Sequence, residues 1–174
     1  MLTTSALAES KRFGELRTAV QISHSAIATI DQSQMLSEVT RALTARLGYP
    51  DARIYLTDTS GLNAHLEAAS GTQAERIMRA GQHVAVDETT VVGRAILLGE
   101  PQIGSEKDSS GRFTNRSELA IPLLMAGQAQ GAILVAARGA GQFEDEDIDI
   151  LRLIADQAAA SIQNARLFEQ SSAN

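Results

Sequence analysis

The chain has 174 residues, 44% of them hydrophobic, which is enough to bury a core in one compact domain. Lys and Arg number 15 against 21 Asp and Glu, a formal charge of -6, and aromatics make up 3%, so the clustered positive charge and stacking platforms of a nucleic-acid binder are excluded. There is no Cys, which rules out disulfides, thiolate metal sites, thiol redox chemistry and Cys nucleophiles.

Residues 1–8 are small and polar and are expected to fray. They lack the basic start and apolar stretch of a secretory signal, and no apolar run approaches the roughly 20 residues of a membrane helix. A soluble cytoplasmic protein without a membrane partner is expected. From Glu9 to Ile30 the pattern is helical, with Phe13, Leu16, Val20, Ile27 and Ile30 on one narrow stripe like a coiled-coil seam. Asp31 caps a second helix over Gln32 to Leu47, with Met35, Leu36, Val39, Leu43 and Leu47 on its apolar face, and Gly48 ends it.

Ala52 to Thr57 reads as a strand, Asp58 to Gly61 as a turn, and Leu62 to Ala69 as the returning strand. Thr72 to Ala80 is a short helix, His83 to Val86 a short strand, and Thr90 to Leu98 another short helix closed by Gly99. Gln102 and Ile103 add one edge pairing, and Gly104 to Asn115 is a polar loop without periodicity. Strands over Glu118 to Met125 and Gln130 to Ala137 flank a turn over Ala126 to Ala129. The last helix runs from Glu144 to about Glu169, with acidic residues in its first turn where the helix dipole favours them. The same acidic run lacks the alternating oxygen ligands and central Gly of a calcium loop.

Hairpins imply an antiparallel sheet, and strands apolar on both faces imply cover on both sides. The predicted architecture is an α+β sandwich with a central antiparallel sheet of about six strands. Terminal helices lie on one face, and short helices and loops on the other. One domain is expected over residues 9–170, with a tail over 171–174.

These residues, in this order, resemble a GAF domain. The segments that carry the likeness are IYLTDTSG, VGRAILLGEP, SELAIPLLMAGQAQGAILV and FEDEDIDILRLIADQAAASIQNARLFE, which together span roughly Glu15 to Glu169. The resemblance implies a non-catalytic regulatory module of bacterial signalling proteins that binds a small molecule over one sheet face. It also implies dimerisation through the terminal helices; the alternative is a scaffold of the same fold that only dimerises. Bilin attachment and methionine sulfoxide reduction both need a Cys, so neither transfers. Ala137–Arg138 stands where cyclic-nucleotide-binding members carry Asn-Lys, and Ile148 replaces a Glu, while Phe143 and Asp147 keep their spacing. No cofactor is expected: haem needs a pocket His, and His24, His65 and His83 show no partner at metal-ligand spacing.

The face that would line the family's pocket carries Tyr55, Arg94, Arg112, Phe113, Asn115 and Ser117, the expected ligand contacts. Phe13, Leu16, Val20 and Ile27 of the first helix, with Leu151, Ile154, Ala158 and Ala165 of the last, form the expected homodimer interface. The ligand itself stays unidentified.

Overall fold

A computed structural model describes residues 32–107, 110–138 and 143–172, with side chains to residue 168. The frayed segment and first helix expected at the N-terminus, with Phe13, Leu16, Val20 and Ile27, lie outside the described residues. The elements run α1 (Gln32–Ala45), β1 (Asp51–Thr57), β2 (Asn63–Gly71), α2 (Ala74–Ala80), β3 (His83–Ala85), α3 (Val91–Leu98), β4 (Gln102–Lys107), β5 (Phe113–Met125), β6 (Gln128–Ala136) and α4 (Asp145–Ser172). The six strands form one sheet in the order β3-β2-β1-β6-β5-β4, and every neighbouring pair is antiparallel.

Strand alternation divides the core into two layers. Ala52, Ile54 and Leu56 of β1, Leu119, Ile121 and Leu123 of β5, and Ile133 and Val135 of β6 point to one face. There they meet Met35, Leu36, Val39 and Leu43 of α1 and Leu151, Ile154, Ala155, Ala158 and Ile162 of α4. Tyr55, Ala120, Ala132 and Leu134 point to the other face and meet Val91, Val92, Ala95 and Ile96 of α3. This is the sandwich expected from the sequence, with helices on both sides of the sheet.

The local chemistry accounts for the turns. Asp58 Oδ1 accepts from the backbone N–H of Ser60 and of Gly61, each at 3.1 Å, which tightens the β1–β2 hairpin. Ala126 and Gly127 both have positive φ, 51° and 78°, as the mirror-image turns that suit twisted hairpins require. Thr90 caps α3 by accepting from Gly93 N at 2.9 Å.

One expectation is corrected. The polar stretch from Gly104 to Asn115 is not a loop, because β4 and β5 extend through most of it, from Gln102↔Ala120 out to Lys107↔Phe113. Its polar composition fits an edge strand whose burial alternates residue by residue, and helical or apolar periodicity is absent for that reason.

Gly93 sets how closely α3 approaches the chain before it. A Cβ there would press into the carbonyl oxygens of Ala85 and Asp87. Gly to Ala in a helix normally gains about 1 kcal/mol, whereas overpacking against backbone costs about 1–3 kcal/mol. Gly93→Ala is therefore expected to lower the melting temperature. A variant that melts above the wild type would show that residues 85–87 yield at little cost.

Candidate functional site

The α3 side of the sheet carries a charged floor beside the apolar patch under the helix. Alternation from Tyr55 brings Asp51 and Arg53 to this face of β1, and alternation from Ala120 brings Arg116 and Glu118 to this face of β5. Glu118 pairs with Gly104 of β4 on one side and Ala136 of β6 on the other. Arg116 Nη1 lies 3.5 Å from Asp51 Oδ2 and its Nε lies 3.8 Å from Glu106 Oε2. Gln82, just before β3, accepts a 2.7 Å hydrogen bond from the Tyr55 hydroxyl and a long 3.5 Å one from Arg53 Nη1.

Burial decides the electrostatics here. Glu118 is half-buried, and removal from water raises its carboxyl from an ordinary 4.5 to about 7. The guanidinium of Arg53 opposes that rise and the carboxylate of Glu106 adds to it. Burial also raises the Tyr55 hydroxyl, against the lowering effect of Arg53, so Tyr55 stays a neutral donor. Arg94 of α3 reaches over Gly104, where a Cβ would stand 3.2 Å from its Nη2, and its Nη1 donates to the Glu88 carbonyl at 3.3 Å.

Of the six expected ligand contacts, Tyr55 and Arg94 stand at this floor. Ser117 and Asn115 alternate with Arg116 and Glu118 along β5 and so fall on the opposite face. Phe113 is 70% exposed with the Lys107 ammonium 5.1 Å from its ring centroid, and Arg112 is exposed beside the tip of the β4–β5 hairpin. The residues that sequence reasoning missed are Arg53, Gln82, Glu106, Arg116 and Glu118. The signal for Arg53 and Glu118 was available: each stands two residues before an inward-facing apolar residue of a strand.

A cleft of about 900 Å³ opens elsewhere, at the far ends of the same strands. Its walls include Thr57, Asp58, Ile96, Leu98, Gln128 and Arg166. The cleft and the charged floor do not coincide. The cleft's charges are already engaged: Asp58 holds its own turn, which together with the Ser60 hydroxyl lowers its carboxyl, and Arg166 donates to Gln130 Oε1 at 3.0 Å. Among the described residues the floor has charges without an ion pair, and it is the better candidate for recognition.

The positions compared with cyclic-nucleotide binders do structural work instead. Arg138 stacks 4.4 Å from the Tyr49 ring centroid, the Tyr49 hydroxyl donates to Asp147 Oδ1 at 2.7 Å, and Phe143 lies 6.4 Å away ring to ring. Asp147 Oδ2 accepts from Glu144 N at 2.9 Å, half of a capping box. His65 and His83 face each other across β2 and β3 at 5.8 Å, and His65 Nε2 lies 3.6 Å from Asp58 Oδ2. Among the described residues no group of three or more His, Asp or Glu is placed to hold a metal, and no helix is long and apolar enough to cross a membrane.

Leu151, Ile154 and Ala158 of the expected dimer interface are buried against their own sheet, so their burial needs no second protomer. Ala165 is half-buried. Exposed apolar surface on α4 is found further along, at Leu167 and Phe168, 57% and 53% exposed.

A family model described as GAF domain matches residues 29–163. Solved structures agree in fold. A methyl-accepting chemotaxis protein fragment, residues 122 to 287, is 24% identical with a TM-score of 0.69, covering 84% of this chain and 98% of that one. The GAF domain of a phosphoenolpyruvate-protein phosphotransferase from Coxiella burnetii is 18% identical with a TM-score of 0.75, covering 92% and 98%. The free methionine-R-sulfoxide reductase of Neisseria meningitidis, solved with its substrate, is 20% identical with a TM-score of 0.72, covering 87% and 90%. No curated protein matches the chain.

Proposed function

Because the chain belongs to the GAF domain family, we propose that it is a non-catalytic sensory module of a bacterial signalling protein, binding a small molecule over the α3 side of its sheet and passing the change to its terminal helices. The observation that carries this reading is the charged floor. Charged groups half-withdrawn from water on a sheet face are costly unless a partner compensates them, and a few polar groups beside apolar walls are what a small-ligand site needs. A chemotaxis protein and a phosphotransferase that carry the same fold are consistent with a regulatory role, and the lack of Cys sets this chain apart from thiol chemistry. The reading includes a cytoplasmic setting.

Signalling requires two states of different ligand affinity. A second copy meeting the exposed Leu167 and Phe168 end of α4, together with the N-terminal stripe, would give such a state a helical output.

The test is a thermal-shift screen of nucleotides, amino acids, tetrapyrroles and small carboxylic acids against the wild type, Arg53→Gln and Glu118→Gln. At least one compound is expected to raise the wild-type melting temperature and to lose that effect in both variants. If no compound raises it, the ligand-free dimerisation scaffold becomes the better reading. Sedimentation of the full chain at micromolar concentration tests the dimer, and a monomer there removes the helical output.

A further inference from the structure

Five charged side chains converge on the α3 side of the sheet: Asp51 and Arg53 from β1, Glu106 from β4, and Arg116 and Glu118 from β5. Their pairing is uneven. Arg116 serves two carboxylates, Asp51 at 3.5 Å and Glu106 at 3.8 Å, and Glu106 also accepts from the Thr114 hydroxyl at 3.1 Å. Among these five strand residues one cation and one anion have no ion pair among the described residues, while Arg94 of α3, reaching in over Gly104, donates to the Glu88 carbonyl. Arg53 is met by neutral groups alone, the Gln82 amide at 3.5 Å and the Tyr55 hydroxyl, and among the described residues neither Arg53 nor Glu118 has an opposite charge within ion-pair reach.

The two leftover groups are held apart by the sheet. Arg53 pairs with Leu134 and Glu118 with Ala136, so all of β6 stands between them, two strand spacings across and two residues along, roughly 12 Å between backbones. They sense each other's charge without meeting. A single small ion would neutralise one and leave the other exposed to the cost of burial. A molecule with one charge of each sign neutralises both, and the apolar Leu134 and Ala136 between them suit a methylene spacer. Guanidinium prefers a planar, bidentate acceptor such as a carboxylate.

Resting on the ligand-binding reading above, we propose that this floor takes a small ampholyte, an amino acid with its ammonium group on Glu118 and its carboxylate on Arg53. Glu118 must be ionised to hold the ammonium group, so binding near pH 7 releases a proton.

Calorimetric titration of the full chain with glycine, β-alanine and 4-aminobutyrate, and with butylamine and butyrate as single-charge probes, tests the proposal. At least one ampholyte is expected to bind about tenfold or more tighter than both single-charge probes, since each lacks one of two charge-assisted contacts. Its binding heat at pH 7 is expected to differ between buffers of unlike ionisation enthalpy, and this difference is expected to vanish in Glu118→Gln. Arg53→Gln is expected to weaken the ampholyte by a similar factor. The comparison of probes on the wild type needs no variant to fold.

Butylamine or butyrate binding as tightly as the best ampholyte overturns the proposal, as does ampholyte binding that neither substitution weakens. If no ampholyte binds while another compound stabilises the wild type and not the two variants, the proposal fails and the sensory reading stands. If nothing binds in either experiment, both fail.

Discussion

Leu43→Ala is expected to destabilise the protein by about 2–5 kcal/mol, the range for a buried Leu whose site only partly collapses. Leu43 is fully buried on α1, in one cluster with Leu36, Val39, Ile54, Ile133 and Ile154. That cluster joins α1, α4 and four strands, so the cavity would open between the helices and the sheet. In a domain of this size the loss corresponds to a fall in melting temperature of roughly 4–20 °C. Leu97→Ala on α3 is the matched control, since Leu97 is 50% exposed and its truncation should cost about 1 kcal/mol or less. Equal losses at the two positions, by chemical or thermal denaturation, would contradict the layer assignment.

Glu118→Gln is expected to change how stability depends on pH. The folded carboxyl titrates at about 7 and an ordinary one at 4.5, so between those values the folded state holds a proton that the unfolded state has lost. Stability from this group is therefore full below about pH 4.5, falls as pH rises toward 7, and stays low above it, by about 3 kcal/mol in all. Gln removes the titration. Wild type and variant should melt alike near pH 4, with the variant melting higher at pH 8. The groups that face Glu118 are Arg53 from β1, Tyr55 beside it, Glu106 from β4, Arg94 from α3 and Arg116 from its own strand. All are present in both proteins, so the difference between the two melting curves isolates Glu118. A difference that stays constant from pH 4 to 8 would remove the basis for a proton-linked site.

Much of the architecture was legible because the periodicities are strong. Met35, Leu36, Val39 and Leu43 repeat at helical spacing and all are buried, and the two hairpins carry turn residues whose backbone demands are specific. The edge hairpin was not legible. β4 and the outer half of β5 are polar strands whose order comes from pairing with each other, and pairing leaves no periodic trace when one face is wet. Of the expected ligand contacts, Tyr55 and Arg94 share the α3 side of the sheet with the charged floor, and both lie on segments with clear apolar neighbours. Ser117 and Asn115 fall on the other face because β5 alternates outward from Ala120. The placing of Glu118 and Arg53 on one face, two strands apart, depends on β6 lying between β1 and β5, and the facing of His65 and His83 on the β2–β3 register. Both are long-range facts that no local pattern holds.

The Tyr49 junction fixes the root of α4. The ring is gripped by Arg138 at the exit of β6, and its hydroxyl holds Asp147 in the helix's first turn. From that root the helix extends 28 residues, about 42 Å at 1.5 Å per residue. Leu151 to Ile162 pack this rod on the sheet, and its last turns carry the exposed Leu167 and Phe168. A tilt of about 5° over that length corresponds to about 4 Å at the far end, roughly two-thirds of a helical turn. Under the sensory reading proposed above, a shift at the exit of β6 would reach the exposed Leu167 and Phe168 along this one helix.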